Sequence, residues 1–152
     1  MKKLLLLTTL FLAFACSKDD EDNSSEPQTF LEKYDGYSWS DGDSEIFTLI
    51  NGTYFYNFVD TDDEGEVLCV RMKEGVQTIE GEQMEASIVK NEPNEMILEL
   101  KIGGVLTSRN RLSVDGETLT DRTTYFDIDD GSSSEETYTW TRTNASYSDY
   151  CN

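Results

Sequence analysis

The sequence contains no histidine and is poor in proline, cysteine and basic residues. Its 152 residues include two prolines, three cysteines and 12 lysines or arginines. Without histidine, the chain lacks the commonest general base, the Ser-His-Asp arrangement and nearly every catalytic zinc site. Close carboxylate pairs are inevitable among 31 acidic residues, so they do not indicate a glycosidase. We therefore expect a protein that is not an enzyme and uses no cofactor.

The charge of the chain is strongly one-sided. Its formal net charge is −19 at neutral pH. Such a surface repels nucleic acid, whose binding proteins neutralise phosphates with lysine and arginine. We therefore expect no nucleic-acid partner, and we interpret most of the acidic residues as a solvated surface.

The chain has one long apolar run, at its N-terminus. Lys2 and Lys3 precede the apolar residues 4–15, which end in Ala-Phe-Ala before Cys16. The run is too short for a membrane span, which needs about 20 residues. The order of charged, apolar and small residues is typical of a secretory signal, so we predict that residues 1–15 are a signal peptide.

The next segment is acidic and lacks hydrophobic residues. Residues 17–28 contain five acidic residues against Lys18. Because such a segment cannot bury enough apolar area to offset its ordering entropy, we predict that residues 16–29 are a disordered tether.

The residues around Cys16 resemble the lipobox of bacterial lipoproteins, in which the cysteine is lipidated and becomes the mature N-terminus. The acidic cluster behind it resembles a signal that sends lipoproteins to the outer face of the outer membrane. This resemblance implies attachment to the membrane through a lipid on Cys16, and surface exposure. An ordinary signal peptide with a free Cys16, followed by a plain linker, is the alternative.

Residues 30–152 alternate in short runs separated by turn residues. Asn51-Gly52, Gly103-Gly104 and Asp115-Gly116 are typical of tight hairpin turns. Nine or ten strands at this spacing indicate one all-β domain, an antiparallel up-and-down meander. A meander of this size escapes exposed edges most simply by closing, so we predict a β-barrel of about 8–10 strands.

Turn length predicts which residues face each other, because a slip of one residue turns every side chain over. A two-residue turn at 51–52 places Leu49 opposite Tyr54 and Phe47 opposite Tyr56. This face is strongly apolar, and we predict that it points inward.

The second hairpin needs a different turn. At 103–104 a two-residue turn would place Leu98 opposite Arg109, mixing core with charge. We therefore predict a three-residue loop that includes Val105 and places Leu98 opposite Asn110.

The third hairpin predicts a polar cluster inside the domain. A two-residue turn at 115–116 places Leu112 opposite Leu119 on the inner face, and four polar residues then point inward with them. Buried without partners, each would cost about 1 to 3 kcal/mol, so they bond to each other, to water or to a ligand. The predicted ligand site comprises the polar residues Ser108, Asn110, Asp121 and Thr123, with Tyr54, Tyr56 and Tyr125 as walls.

The ends of the domain resemble lipocalin-like lipoproteins. The resemblance lies in Gly36-Tyr37-Ser38-Trp39, the meander, and the segment 139–143 around Arg142. In lipocalins, a tryptophan of the first strand packs under an arginine near the end of the barrel. The resemblance implies that Trp39 and Arg142 form this pair, with the cation over the aromatic ring. It also implies binding of a small molecule or lipid. The alternative is an interaction protein that docks on another envelope protein through its outer surface.

Two further predictions concern a metal and a disulfide. Asp60, Asp62 and Glu64 occupy the first, third and fifth places of a calcium-loop pattern, but the twelfth place lacks the required glutamate. We expect at most a loose calcium site there, against a solvated turn. If Cys16 carries lipid, an even pair remains, and we predict a disulfide between Cys69 and Cys151, the alternative being a buried free Cys69.

Overall fold

The computed structural model describes residues 28–42, 44–61, 65–79 and 81–151. The predicted signal peptide, Cys16 and nearly all of the predicted tether lie outside these ranges, so both segments remain predictions. No helix in the described part of the chain has the length and apolar character needed to cross a membrane.

The described chain forms one short helix, ten strands and a short 3₁₀ turn. This confirms the predicted all-β antiparallel meander. The elements are α1 (Phe30–Lys33), β1 (Ser38–Ser40), β2 (Ile46–Leu49), β3 (Tyr54–Thr61), β4 (Val67–Lys73), β5 (Gly75–Ile79), β6 (Glu82–Glu92), β7 (Glu95–Ile102), β8 (Val105–Asp115), β9 (Thr118–Phe126), β10 (Ser133–Thr143) and the 3₁₀ turn Tyr147–Asp149.

All ten strands belong to one sheet in the order β4-β3-β2-β1-β10-β9-β8-β7-β6-β5. The two edge strands, β4 and β5, are consecutive in the chain. No ladder joins them in the described residues, so the sheet is not closed into the predicted barrel. The Gln77 side chain lies between the edges instead: its Oε1 accepts from the Lys73 amide at 3.1 Å, and its Nε2 donates to the Arg71 carbonyl at 3.2 Å.

The sheet curls around one apolar core on its concave face. Trp39 of β1, Met72 of β4, Met96 of β7 and Leu119 of β9 are all buried in the same cluster, although their strands lie far apart in the sheet order. Only a strongly curved sheet brings these strands to one core. Burial of such side chains is the main stabilising contribution, about 1.5 to 3 kcal/mol each.

Helix α1 closes one end of the concave face. Thr29 and Glu32 form a capping box, which satisfies backbone donors at the start of this single turn. Phe30 is fully buried and packs on Tyr34 at 4.7 Å between ring centroids. The helix ends before Gly36, whose φ of 73° favours glycine.

The C-terminal segment covers part of the convex face. Ile46 and Val59 form a second small core with Cys151, and Ala145 and Tyr147 pack against it. Cys151 and Cys69 lie at disulfide distance, with their Cα atoms 6.0 Å apart, as the sequence predicts. The bridge holds the chain end against the edge strand β4.

The first predicted register is wrong by two residues. Leu49 pairs with Tyr56, and Phe47 pairs with Phe58. The reason is a longer connection, because the Ile50 amide donates to the carbonyl of Phe55. A shift of two residues leaves the same side chains on the inner face.

The second register is confirmed, but the predicted loop is wrong. Leu98 lies opposite Asn110, whereas the turn has two residues, because Ile102 pairs with Val105. A bulge at Thr107 adds one unpaired residue to β8 and so restores the predicted pairing beyond it. The Thr107 hydroxyl donates to the Leu100 carbonyl at 3.1 Å.

The third register is also shifted by two residues. Asp115 pairs with Thr118, so the turn is Gly116-Glu117, and Leu112 lies opposite Asp121 rather than Leu119. Gly116 has a φ of 57°, a conformation that glycine adopts without strain.

Candidate functional site

A pocket opens from the concave face between β2–β3 on one side and β7–β10 on the other. Its volume is ≈ 160 Å³, and it is partly open to solvent. Aromatic and aliphatic side chains form most of its wall, with two polar side chains among them. The lining residues are Phe47, Tyr56, Phe58, Leu98, Asn110, Leu112, Asp121 and Trp140.

The four predicted polar residues lie together on the concave face, and we call them the polar network. Asn110 Nδ2 donates to Asp121 Oδ2 at 2.8 Å and to Thr123 Oγ1 at 2.7 Å. The Ser108 hydroxyl donates to Asn110 Oδ1 at 3.4 Å. Ser108, Asp121 and Thr123 are buried. The network is therefore largely self-satisfied, which was one alternative to a ligand site.

One atom of the network is left without a partner. Asp121 is 6 % exposed, and its Oδ1 accepts no hydrogen bond from the described residues. Burial raises the pKa of Asp121 above its ordinary value, although hydrogen bonds from Asn110, Thr123 and the Arg111 backbone oppose that change. Burial and, second, the charge of Asp121 raise the pKa of Tyr56.

Four rings stack in a continuous row beside the polar network. We call them the aromatic row: Tyr56, Phe47, Trp140 and Tyr138. The Phe47 ring centroid lies 4.9 Å from that of Tyr56 and 5.9 Å from that of Trp140. Tyr138 stacks on Trp140 at 6.0 Å. These rings come from β3, β2 and β10. They lie close together because β1 pairs with β2 on one side and with β10 on the other.

Trp140 is held in place by a hydrogen bond as well as by stacking. Its indole Nε1 donates to Glu45 Oε2 at 3.2 Å. Burial raises the pKa of Glu45, and this hydrogen bond acts against the rise. The same side chain lines the pocket.

Two of the predicted walls are not in the pocket. The bulge between Tyr54 and Tyr56 turns Phe55 into the core and places Tyr54 under Arg71, whose guanidinium carbon is 4.3 Å from the ring centroid. Tyr125 is exposed, and its hydroxyl lies 3.1 Å from that of Tyr138. Of the three tyrosines, the structure brings Tyr56 alone to the pocket lining.

The predicted closure pair is arranged differently from the lipocalin pattern. Trp39 and Arg142 are direct partners in the β1–β10 ladder. The Arg142 guanidinium, however, lies over the ring of Tyr37, 3.4 Å from its centroid. Tyr37 in turn contacts Trp39 at 6.2 Å between centroids. The Tyr37 ring therefore contacts both the Arg142 guanidinium and the Trp39 ring.

The calcium prediction is largely outside the described residues. Asp60 lies on β3, whereas Asp62 and Glu64 fall in the range 62–64, which the structure does not describe. Within the described ranges, no cluster of three or more potential metal ligands is present.

Sequence reasoning missed the contribution of Trp140 and Glu45 to the site. A signal for Trp140 was available, because Tyr138 and Trp140 alternate with threonines along one strand and so share a face. No sequence signal points to Glu45, since its contact with Trp140 spans 95 positions.

Comparison with known proteins assigns no family. The chain matches no protein-family model, no curated protein and no solved structure.

Proposed function

We propose that this protein is a lipid-anchored surface protein whose β-domain binds a small molecule in the pocket between the aromatic row and the polar network. The observation that carries this proposal is the unpartnered Oδ1 of Asp121, buried in a pocket wall. An unpaired buried acceptor costs about 1 to 3 kcal/mol, and a bound donor would remove that cost.

The proposed anchor is a lipid on Cys16, with residues 16–29 as the tether at the outer surface of the outer membrane. It is supported by the signal-like order of residues 1–15 and by the acidic, apolar-poor segment that follows.

The proposed architecture is a lipocalin-like barrel with an incomplete seam. Support comes from the curvature of the sheet, from the single residue Glu74 between the edge strands, and from the Gln77 side chain that bonds to β4. The Glu74 carboxylate also accepts from the Ile88 amide at 3.1 Å, which ties the crossover to β6.

The size of the pocket favours a small molecule over a lipid. A volume of ≈ 160 Å³ is close to that of an engineered cavity of about 150 Å³ that holds benzene, and below the roughly 300 to 1,000 Å³ of drug-sized sites. A volume of this size does not enclose a long acyl chain.

The test is a screen of small molecules by NMR, with chemical shifts read at the lining residues. Phe58 is half-buried at the pocket, so Phe58→Trp is expected to narrow the pocket while leaving the fold intact. We expect hits to perturb Leu98, Leu112 and Trp140, and Phe58→Trp to abolish these shifts.

The matched control is Phe126→Trp, because Phe126 is also half-buried but lines a different depression near β10. It should leave binding unchanged. Hits whose shifts map away from the pocket, or that survive Phe58→Trp unaltered, would contradict the proposal.

A second candidate function, docking through the convex surface, is favoured by one observation. Arg111 and Arg122 are directly opposite each other in the β8–β9 ladder, and like charges in this position are destabilising. Arg109 lies beside them, and the three line a depression with Thr124 and Glu135. Arg109 and Arg111 form ion pairs with Glu99 and Glu95, whereas Arg122 has no ion pair among the described residues. A basic patch on an acidic protein suits an acidic partner. The test is a double variant, Arg111→Gln with Arg122→Gln. If it no longer binds an envelope protein that the unmodified protein binds, while it still binds a small molecule in the pocket, this function is supported.

A further inference from the structure

The hydrogen-bond donors of the polar network are already used within it. Both contacts of the Asn110 amide nitrogen go to network oxygens, Asp121 Oδ2 and Thr123 Oγ1. The Ser108 hydroxyl donates to Asn110, and Thr123 bonds to the Asp121 carboxylate. What the network offers to a ligand is therefore an acceptor, the Asp121 carboxylate, whose buried Oδ1 has no hydrogen-bond partner among the described residues. A carboxylate or phosphate ligand would meet no donor from these four residues.

No cation of the described chain neutralises Asp121. None of the ion pairs between described residues includes it. The adjacent Arg111 directs its guanidinium to Glu95, 3.2 Å away on the convex face. A buried carboxylate without a paired cation is costly, and a cationic ligand would supply the missing partner.

The aromatic row also favours a positively charged ligand. Tyr56 and Phe47 line the pocket from β3 and β2, and Trp140 lines it from β10, which is the ladder neighbour of the strand that carries Asp121. Ring faces attract a cation within about 6 Å of the centroid, and tryptophan attracts it most strongly. The net charge of −19 further raises the local concentration of cations around the domain.

A metal ion fits the pocket poorly. Calcium takes about six to eight oxygen ligands, and magnesium requires an octahedral set. One free carboxylate oxygen beside aromatic rings does not provide them. An organic cation with carbon atoms to pack on the rings matches both walls.

We propose that the pocket binds a small protonated amine, whose ammonium N–H donates to the Asp121 carboxylate while its carbon atoms pack on the aromatic row. This assignment rests on the proposed function and names its ligand class. The pocket volume limits the ligand to about the size of benzene or slightly larger.

The affinity for an amine should depend on pH. Burial raises the pKa of Asp121, so amine binding displaces its proton where the carboxyl is partly protonated, and affinity increases as pH rises through that pKa. The titratable groups facing Asp121 are Tyr56 from β3 and Tyr138, its ladder partner on β10. Each has a raised pKa, Tyr56 through burial and Tyr138 first through its hydrogen bond to Glu136, so both stay neutral in this range.

The experiment compares three probes with the same carbon chain: butylammonium, butanol and butyrate. Their binding to the unmodified protein is measured by calorimetry, with NMR shifts at the lining residues. A charge-assisted hydrogen bond predicts that butylammonium binds about tenfold or more tightly than butanol, and that butyrate does not bind. This comparison needs no variant.

The variant arm uses Asp121→Asn, which removes the charge and keeps the shape. It should lower the affinity for butylammonium to that of butanol and abolish the pH dependence. Asp115→Asn, an exposed acid in the β8–β9 hairpin, is the matched control and should retain the full preference.

Equal binding of butanol and butylammonium at the pocket would overturn the amine assignment while leaving the proposed function intact. Binding of butyrate there would overturn it too. If none of the three binds, the amine assignment fails, and the broader screen with Phe58→Trp decides the proposed function separately.

Discussion

The Asn110 side-chain amide on β8 donates a hydrogen bond to the Asp121 carboxylate on β9, although Asp121 is its diagonal neighbour in the ladder and not its direct partner. Asn110 lies opposite Thr123 and Asp121 lies opposite Leu112, yet the amide bonds to both polar side chains. One amide thus fixes the Asp121 carboxylate by Oδ2, while Oδ1 is buried and has no hydrogen-bond partner among the described residues. The stability of the site and its capacity for a ligand both depend on this geometry.

Asn110→Ala should destabilise the protein. The change removes the donor to Asp121 and Thr123 together, so a buried carboxylate loses its main partner. We expect the free energy of unfolding to fall by about 2 kcal/mol, measured by urea denaturation at neutral pH. Asn144→Ala, at an exposed position after β10, is the control and should change it by less than about 0.5 kcal/mol. Equal stability of the two variants would refute a structural role for the network.

Asp121→Asn should change how stability depends on pH. The pKa of Asp121 is raised in the folded protein, so the fold binds this proton more tightly than the unfolded chain does. Its favourable contribution is therefore present at low pH and is lost as pH rises through the raised pKa. Relative to the unmodified protein, the variant should gain stability as pH rises, by about 1 to 3 kcal/mol at neutral pH.

This gain is measured by denaturant titrations at several pH values on both proteins. Asp115→Asn should show no such trend. A constant difference between Asp121→Asn and the unmodified protein at every pH would show that the raised pKa is not what governs the site.

Removing the disulfide should release the C-terminal segment. Cys69 and Cys151 are 82 positions apart, and loop-closure entropy for such a separation predicts a loss of about 4 kcal/mol as an upper guide. In Cys69→Ser with Cys151→Ser, amide exchange should accelerate around Ile46 and Val59, which the segment covers. Slow exchange at Met96, in the concave core, is the internal control. Two free thiols titrated in the mature, unmutated protein, unfolded without reduction, would disprove the bridge.

Cys16→Ser should release the protein from the membrane fraction. The expected reason is loss of the lipid attachment site rather than loss of a membrane span. Fractionation followed by immunodetection measures this, with Cys69→Ser as a control that should remain in the membrane fraction. Unchanged attachment of the Cys16→Ser protein would exclude lipid anchoring.

Much of the fold was predictable because hairpins leave local signals. The alternation of side chains along the strands assigned four polar residues to one face: Ser108, Asn110, Asp121 and Thr123. The β8–β9 register was predicted wrongly by two residues, but a shift of two leaves every side chain on the same face of the sheet. Tyr54 was misplaced because a bulge inserts one residue and reverses parity beyond it. No periodic signal reveals such an insertion.

The sequence by itself determined the all-β meander and the inward polar face, since these follow from turn residues and strand alternation. It predicted the pairing of Cys69 with Cys151 on the premise that Cys16 carries lipid. The tertiary structure alone decided which strands meet across the curled sheet. It placed Trp140 against Phe47. Among the described residues it left the edges β4 and β5 without a ladder and one oxygen of Asp121 without a partner. These outcomes depend on curvature and on contacts between distant segments, which local residue patterns do not encode.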